Sequence, residues 1–167
     1  DERIMYKNMT ELLDEKEING WKLEKFEITC KNFRAILDGI LPGTYIRLVH
    51  DGECVMSDTG MEKRTNLKFC SKAHGDIIIG GLGIGMIIMA IQDKPEVRSI
   101  TVIEKNQEVI DLVTSQIELN DKVKIVHADV FDWNPEKGVK YDMSYMDIWN
   151  CVNETVYRKE MLPLKRK

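Results

Sequence analysis

The chain has 167 residues, of which 43% are hydrophobic and 31% are charged. This length is typical of one globular domain with a sizeable core, so disorder of the whole chain is not expected. The formal net charge of -4 disfavours a protein that neutralises phosphates over a broad surface. Nucleic acid is therefore not indicated as a partner.

The cysteines and histidines are dispersed along the sequence. None of the four cysteines forms a C-x-x-C pair, and the three histidines are not grouped with them. We therefore expect neither a metal site nor a disulfide framework. The start of the chain does not resemble a signal peptide, and the apolar run over residues 84–91 is too short to cross a bilayer. These features predict a cytoplasmic protein with no membrane partner.

Residues 1–73 are predicted to form an extension built from an N-terminal helix and a β-hairpin. The expected elements, in chain order, are a helix over 9–18, a strand over 21–28, a helix over 32–40, and hairpin strands over 45–50 and 53–57. Thr10 is the predicted N-cap of the first helix. Asp51-Gly52 lies between the two hairpin runs, and this dipeptide is the strongest short hairpin signal.

Residues 74–167 are predicted to form an α/β core, because strand and helix patterns alternate after His74. Strands are expected over 76–79, 99–104, 123–127 and 141–148, and helices over 86–92, 107–119 and 150–164. The strands recur about every 22 to 24 residues, which is the rhythm of right-handed βαβ crossovers in a parallel sheet. The predicted fold class is therefore α/β with a Rossmann-like parallel sheet.

A glycine run joins the first core strand to its helix. After Asp76 and three isoleucines come Gly80 and Gly81, and Gly83 and Gly85 complete a G-x-G-x-G pattern. Glycines at such a turn let a nucleoside-bearing ligand approach bare backbone. Met86 stands where a dinucleotide fingerprint has its third glycine, and no Gly-Lys-Ser/Thr follows. The pattern favours a ligand with a ribose and an amino-acid tail but no pyrophosphate.

Three acidic residues follow the next three predicted strands. Glu104 lies about 20 residues beyond the glycines, where a carboxylate can accept hydrogen bonds from both ribose hydroxyls. Asp129 ends the third strand and is expected to accept a hydrogen bond from an adenine amino group. Asp147 ends the fourth strand, where it serves either as a general base or as the N-cap of the next helix. Carboxyl ends of parallel strands meet at one edge, so these residues should lie together.

These motifs resemble a class I S-adenosylmethionine-dependent methyltransferase of the branch close to the spermidine synthases, over about residues 54–150. In that family an acid commonly precedes the first glycine by two residues, but Ile79 is here, followed by Gly80-Gly81, which favours the spermidine synthase branch. The segment 56–62 is similar to one that those enzymes place over the cofactor. Within it, Asp58 and Glu62 are expected to be exposed loop charges rather than site residues.

The resemblance implies S-adenosylmethionine as cofactor, methyl transfer by an SN2 reaction to an unidentified acceptor, and Asp147 as the catalytic residue. An aminopropyltransferase-like enzyme and a cofactor-binding module without activity remain as alternatives. The resemblance also implies strand order 3-2-1-4 and a core that is short at its C-terminus, because about 20 residues follow Ile148. The first residue is Asp1 rather than Met, which indicates a trimmed chain. A hairpin strand or a second subunit, as in a homo-oligomer, is expected to cover the open fourth strand.

Overall fold

The structure, a computed structural model, describes residues 6–148 and 161–165. Its strands are β1 (Lys16–Ile18), β2 (Trp21–Ile28), β3 (Gly43–His50), β4 (Glu53–Ser57), β5 (Gly75–Gly80), β6 (Val97–Glu104), β7 (Val123–His127) and β8 (Met143–Met146). They form an antiparallel sheet in the order β1-β2-β3-β4 and a parallel sheet in the order β7-β6-β5-β8. The predicted mixed α/β class, with a four-stranded parallel sheet, is confirmed.

The helices are short. They are α1 (Met9–Leu12), α2 (Phe33–Leu37), α3 (Gly60–Lys72), α4 (Met86–Ile91), α5 (Gln107–Thr114) and α6 (Leu162–Lys165). In the described part of the chain, none of them has the length and apolar character that a bilayer-crossing helix needs. The predicted helix over 150–164 lies outside the described residues, apart from its last positions, which fall in α6.

Two tight turns define the antiparallel sheet. Asp51 and Gly52 join β3 to β4 with φ angles of 50° and 80°, and Asn19 and Gly20 join β1 to β2 with φ angles of 47° and 82°. Positive φ at both central residues is the type I′ geometry that matches the twist of the flanking strands. The Asp51-Gly52 hairpin is confirmed. The predicted helix over 9–18 is wrong beyond Leu12, because Asn19-Gly20 turns the chain back and pairs residues 16–18 with β2.

Asp58 fastens α1 to the antiparallel sheet. Its Oδ2 accepts hydrogen bonds from the N–H (3.2 Å) and the hydroxyl (2.6 Å) of Thr10, and its Oδ1 accepts one from the N–H of Ile46 (2.9 Å). The N-cap position belongs to Asn8, so the prediction of Thr10 as N-cap is wrong. Asp58 is 3% exposed, so it is a buried structural acceptor rather than an exposed loop charge.

Helix α3 was not predicted from the sequence. It has 13 residues, and only Asn66 and Cys70 are buried. A helix with so few apolar residues lacks the apolar stripe by which an amphipathic helix is recognised. Other predicted bounds were too long, since α5 ends at Thr114 and β8 at Met146.

The two sheets share one hydrophobic core. Its buried cluster includes Leu23 and Leu48 from the antiparallel sheet and Ile77 and Ile100 from the parallel sheet. Helix α5, with Leu112 fully buried, contacts β1 and β2 on one side and β6 and β7 on the other. The antiparallel sheet is therefore held beside the carboxyl ends of the parallel strands.

Strand β8 lies at one edge of the parallel sheet. It pairs with β5 through residues 77–80 and 143–146. Among the described residues, no strand of the antiparallel sheet pairs with it, because those four strands form a sheet of their own. A hairpin strand therefore does not cover this edge within the described chain.

Gly85 lets α4 begin close to the chain that follows α5. Its φ is 79°, and a methyl group on it would lie 2.8 Å from Cδ1 of Ile117. Gly138 has a similar φ of 88°, but open space surrounds its methyl position. The pair separates the cost of positive φ from the cost of crowding.

We predict that Gly138→Ala lowers the free energy of unfolding by about 1–2 kcal/mol, the cost of a side chain in the left-handed region. Gly85→Ala should lower it by about 2–4 kcal/mol, because overpacking adds to that cost. Urea denaturation of both variants and the wild type measures the difference. Equal losses would contradict the proposed packing of Gly85 against Ile117.

Candidate functional site

A cleft of about 940 Å³ lies between the two sheets. One wall consists of the residues at the carboxyl ends of β5, β6 and β8 and after β7, and the opposite wall comes from β3 and β4. The volume falls within the range of small-molecule and cofactor pockets. Open α/β sheets bind ligands at this edge, since loops there can vary without disturbing the strands.

Five of the seven predicted site residues line this one cleft. They are Gly81, Gly83, Glu104, Asp129 and Asp147, which come from four different strand ends. The remaining two, Gly80 and Gly85, are not among its lining residues. A methyl group on Gly80 would overlap the sulfur of Met146, so this glycine permits contact between β5 and β8 instead.

The two cleft glycines adopt positive φ, 95° at Gly81 and 54° at Gly83. A methyl group on Gly81 would lie 2.9 Å from the carbonyl oxygen of Asp147, so glycine here allows the loops after β5 and β8 to meet. At Gly83 the methyl position is filled by the side chain of Met56 from β4. A ligand can touch the Gly83 backbone only after Met56 moves, which its flexible thioether side chain allows.

Glu104 is the most firmly held group in the cleft. It is 7% exposed, its Oε2 accepts the N–H of Leu82 at 2.8 Å, and its Oε1 accepts the N–H of Asn106 at 3.0 Å and that residue's side-chain amide at 3.2 Å. A carboxylate offers about four lone-pair positions, so one remains on Oε2. One ribose hydroxyl can use it, whereas the sequence predicted two such bonds.

Asp129 keeps acceptor capacity towards the cleft. Its Oδ1 accepts the N–H of Phe131 at 3.0 Å, and its Oδ2 lies 3.5 Å from Nζ of Lys105. The side chain is 29% exposed. The N–H of Phe131 fixes the carboxylate orientation at the turn after β7, and lone pairs remain for a donor such as an amino group.

Glu62 and Asp147 form an uncompensated acidic pair. Burial raises the pKa of Asp147, and burial together with the charge of Asp147 raises the pKa of Glu62. Neither carboxylate has an ion-pair partner within residues 6–148 and 161–165. The same surroundings raise the pKa of Tyr145 to about 12, so this phenol stays protonated. Opposing carboxylates without a cation are costly for the fold and available to a cationic ligand.

Several lining residues were missed from the sequence. Glu62 was expected to be an exposed loop charge, but α3 carries it into the cleft wall. Trp21 and His50 also line the cleft and stack on each other, with ring centroids 4.1 Å apart and planes 15° apart. The signal for them is long-range, because it depends on how the antiparallel sheet sits over the strand ends.

Comparisons with known proteins provide no family assignment. No protein-family model matches the chain, and no curated protein matches it significantly. Function is therefore inferred from the residues of the cleft and from the resemblance in its motifs.

We predict that Asp147→Asn stabilises the protein at pH 8. The pKa of Asp147 is raised in the folded state, so ionisation opposes folding above the unfolded-state pKa, and this penalty disappears as the pH falls below it. The gain should therefore shrink as the pH approaches 4. Thermal unfolding followed between pH 3 and pH 8 measures it.

Asp76→Asn serves as the matched control of opposite sign. Hydrogen bonds from Arg98 and Ser99 lower the pKa of Asp76, so its charge contributes stability above its unfolded-state pKa, which is lost as the pH falls through its folded value. This variant should be less stable than wild type at pH 8. A destabilised Asp147→Asn protein, or a gain that persists unchanged at pH 3, would show that Asp147 is not an uncompensated buried charge.

Proposed function

We propose that the chain binds S-adenosylmethionine in the cleft and transfers its methyl group to an acceptor. The observation that carries this proposal is that Gly81, Gly83, Glu104, Asp129 and Asp147 line one cleft. They were selected from sequence spacing alone, and they lie up to 66 positions apart. Their meeting at one sheet edge is the arrangement expected if the motifs have the meaning that the resemblance implies.

The strand order supports a Rossmann-like interpretation of the parallel sheet. Counted within that sheet, β7-β6-β5-β8 is third, second, first and fourth, so the direction of the chain reverses between β5 and β8. Doubly wound folds bind ligands at such a switch point. In this interpretation the antiparallel sheet is the N-terminal extension, which covers the cleft with β3 and β4.

The cleft chemistry fits the cofactor. Glu104 would accept one ribose hydroxyl, and Asp129 would accept the adenine amino group. Apolar side chains of Ile103, Val109 and Val130 also line the cleft and would pack on the adenine ring.

Charge also favours a cationic ligand. The described lining includes five carboxylates and one lysine, namely Glu53, Glu62, Glu104, Asp129, Asp147 and Lys105. An acidic cleft between protein walls raises the local concentration of cations. S-adenosylmethionine carries a sulfonium cation, and this group makes the methyl carbon electrophilic.

Asp147 is the proposed general base. Its carbonyl lies against Gly81, so the carboxylate stands beside the glycine loop, and its raised pKa moves it towards the operating pH. An acceptor that must lose a proton would give it to Asp147. Alignment of the nucleophile by the cleft walls contributes the larger share of rate acceleration.

Calorimetry with S-adenosylmethionine and S-adenosylhomocysteine tests the cofactor assignment. Wild type should bind both, and Glu104→Gln should bind them about 10- to 100-fold more weakly, because a hydrogen bond to a charged group is lost. Asp129→Asn should also weaken binding. Exposed Glu96, before β6, supplies the control Glu96→Gln, which should bind as wild type does.

Circular dichroism must show that each variant is folded, since Glu104 also holds Leu82 and Asn106. Absence of binding by folded wild type would refute the cofactor assignment. Equal binding by wild type, Glu104→Gln and Asp129→Asn would refute the assigned cleft residues.

An aminopropyltransferase-like activity is the second candidate. Lys105 is the one lysine or arginine in the described lining, and it pairs with Asp129 rather than with the Glu62–Asp147 end. A cofactor carboxylate at that end would face like charge. Decarboxylated S-adenosylmethionine lacks this carboxylate, so the acidic pair favours it on charge grounds.

Two labelled cofactors distinguish the activities. The protein is incubated with a cell extract and either methyl-labelled S-adenosylmethionine or propyl-labelled decarboxylated S-adenosylmethionine. Our first proposal predicts labelled product from the former, with a rate about 10²- to 10⁴-fold lower for Asp147→Asn and unchanged for the exposed control Asp121→Asn. Product from the decarboxylated cofactor alone would favour the second candidate. Binding without product from either would leave a non-catalytic module.

A further inference from the structure

The β2–β3 connection exposes an apolar cluster far from the cleft lining. Phe33 is 71% exposed, Leu37 70% and Leu41 74%, and Ile36 is 38% exposed. Helix α2 contains no buried residue. Single exposed apolar residues are ordinary, but a contiguous group of large ones marks an interaction site.

This segment is held in a defined conformation. Gly39 has a φ of 76°, its N–H bonds the carbonyl of Ile36 and the N–H of Ile40 bonds that of Ala35, both at 2.9 Å, which is the Schellman helix end. The Tyr45 hydroxyl donates to the Leu41 carbonyl at 2.6 Å, and the guanidinium of Arg64 donates to the Asp38 carbonyl at 3.4 Å. A five-residue helix is too short to persist without such support. The cluster is therefore presented as a shaped surface.

The charges beside the cluster are self-complementary. Arg34 and Asp38 lie four residues apart, on the same flank of the stripe that Phe33 and Leu37 form. Among the ion pairs of the described chain, neither Arg34 nor Asp38 takes part. Two copies of α2 packed antiparallel about a two-fold axis bring the same flank together in reversed order. Arg34 of each copy then lies beside Asp38 of the other.

We propose that α2 packs against α2 of a second copy of this chain, forming an isologous dimer with Ile36 near the two-fold axis. Phe33 and Leu37 bury each other across the axis, and two reciprocal Arg34–Asp38 pairs fix the register. An anionic lipid surface fits less well, because Asp38 lies within the patch. This surface is separate from the edge of β8.

A charge swap tests the proposal on the full chain. Sedimentation velocity of wild type should show a concentration-dependent monomer–dimer equilibrium with a dissociation constant in the micromolar range or weaker, since the contact is small. Arg34→Asp and Asp38→Arg should each weaken association by about tenfold or more, because each places like charges in contact twice. The double variant carrying both changes should restore it. Exposed Lys137 provides the control Lys137→Asp, which should associate as wild type does.

Leu37→Ser gives a second, charge-independent test and should abolish association. All these side chains are exposed, so the variants should keep the wild-type circular dichroism and melting temperature. A wild type that stays monomeric to millimolar concentration overturns the proposal. Association that survives the single changes, or a double variant no better than either single one, also overturns it. Vesicle binding by a protein that stays monomeric would assign the patch to lipid instead.

Discussion

The cleft depends on one buried carboxylate. Glu104, at the end of β6, accepts N–H groups from Leu82 in the glycine loop and from Asn106 before α5. Two loops that belong to different βα units are thereby fixed to one side chain. Such charge-assisted bonds to main-chain donors are among the stronger contacts in proteins. Because the loop geometry is set by this bond, Gly81 and Gly83 can present their positive φ backbone without a further support from a ligand.

The opposite end of the cleft has the reverse character. Glu62 and Asp147 receive no compensating cation among the described residues, and burial raises the pKa of both. A fold selected only for stability would not keep two partly buried carboxylates together, since each pays for desolvation and repels the other. Perturbed acids in a cleft indicate function with a stated physical cause. The acid pair is therefore where the proposed chemistry and the stability of the fold oppose each other.

Local signals predicted the parallel sheet and most of one cleft wall. The strand β7 was predicted with its observed bounds, and the rule that parallel strands end at one edge placed Glu104, Asp129 and Asp147 together. The opposite wall was not predictable, because Trp21, His50 and Glu62 reach the cleft through the packing of a second sheet and of a polar helix. The Asn19-Gly20 signal was present in the sequence, and apolar residues at helical spacing outweighed it in the prediction. Asp58 lacked any local mark of burial.

The most direct test of the account is a crystal structure of the protein with S-adenosylhomocysteine. We expect the nucleoside in the cleft, one ribose hydroxyl within hydrogen-bond distance of Glu104 Oε2, and the adenine amino group beside Asp129. The side chain of Met56 should have moved off Gly83, and the sulfur should face Asp147. A ligand bound elsewhere, or in the cleft with neither Glu104 nor Asp129 in contact, would contradict the account.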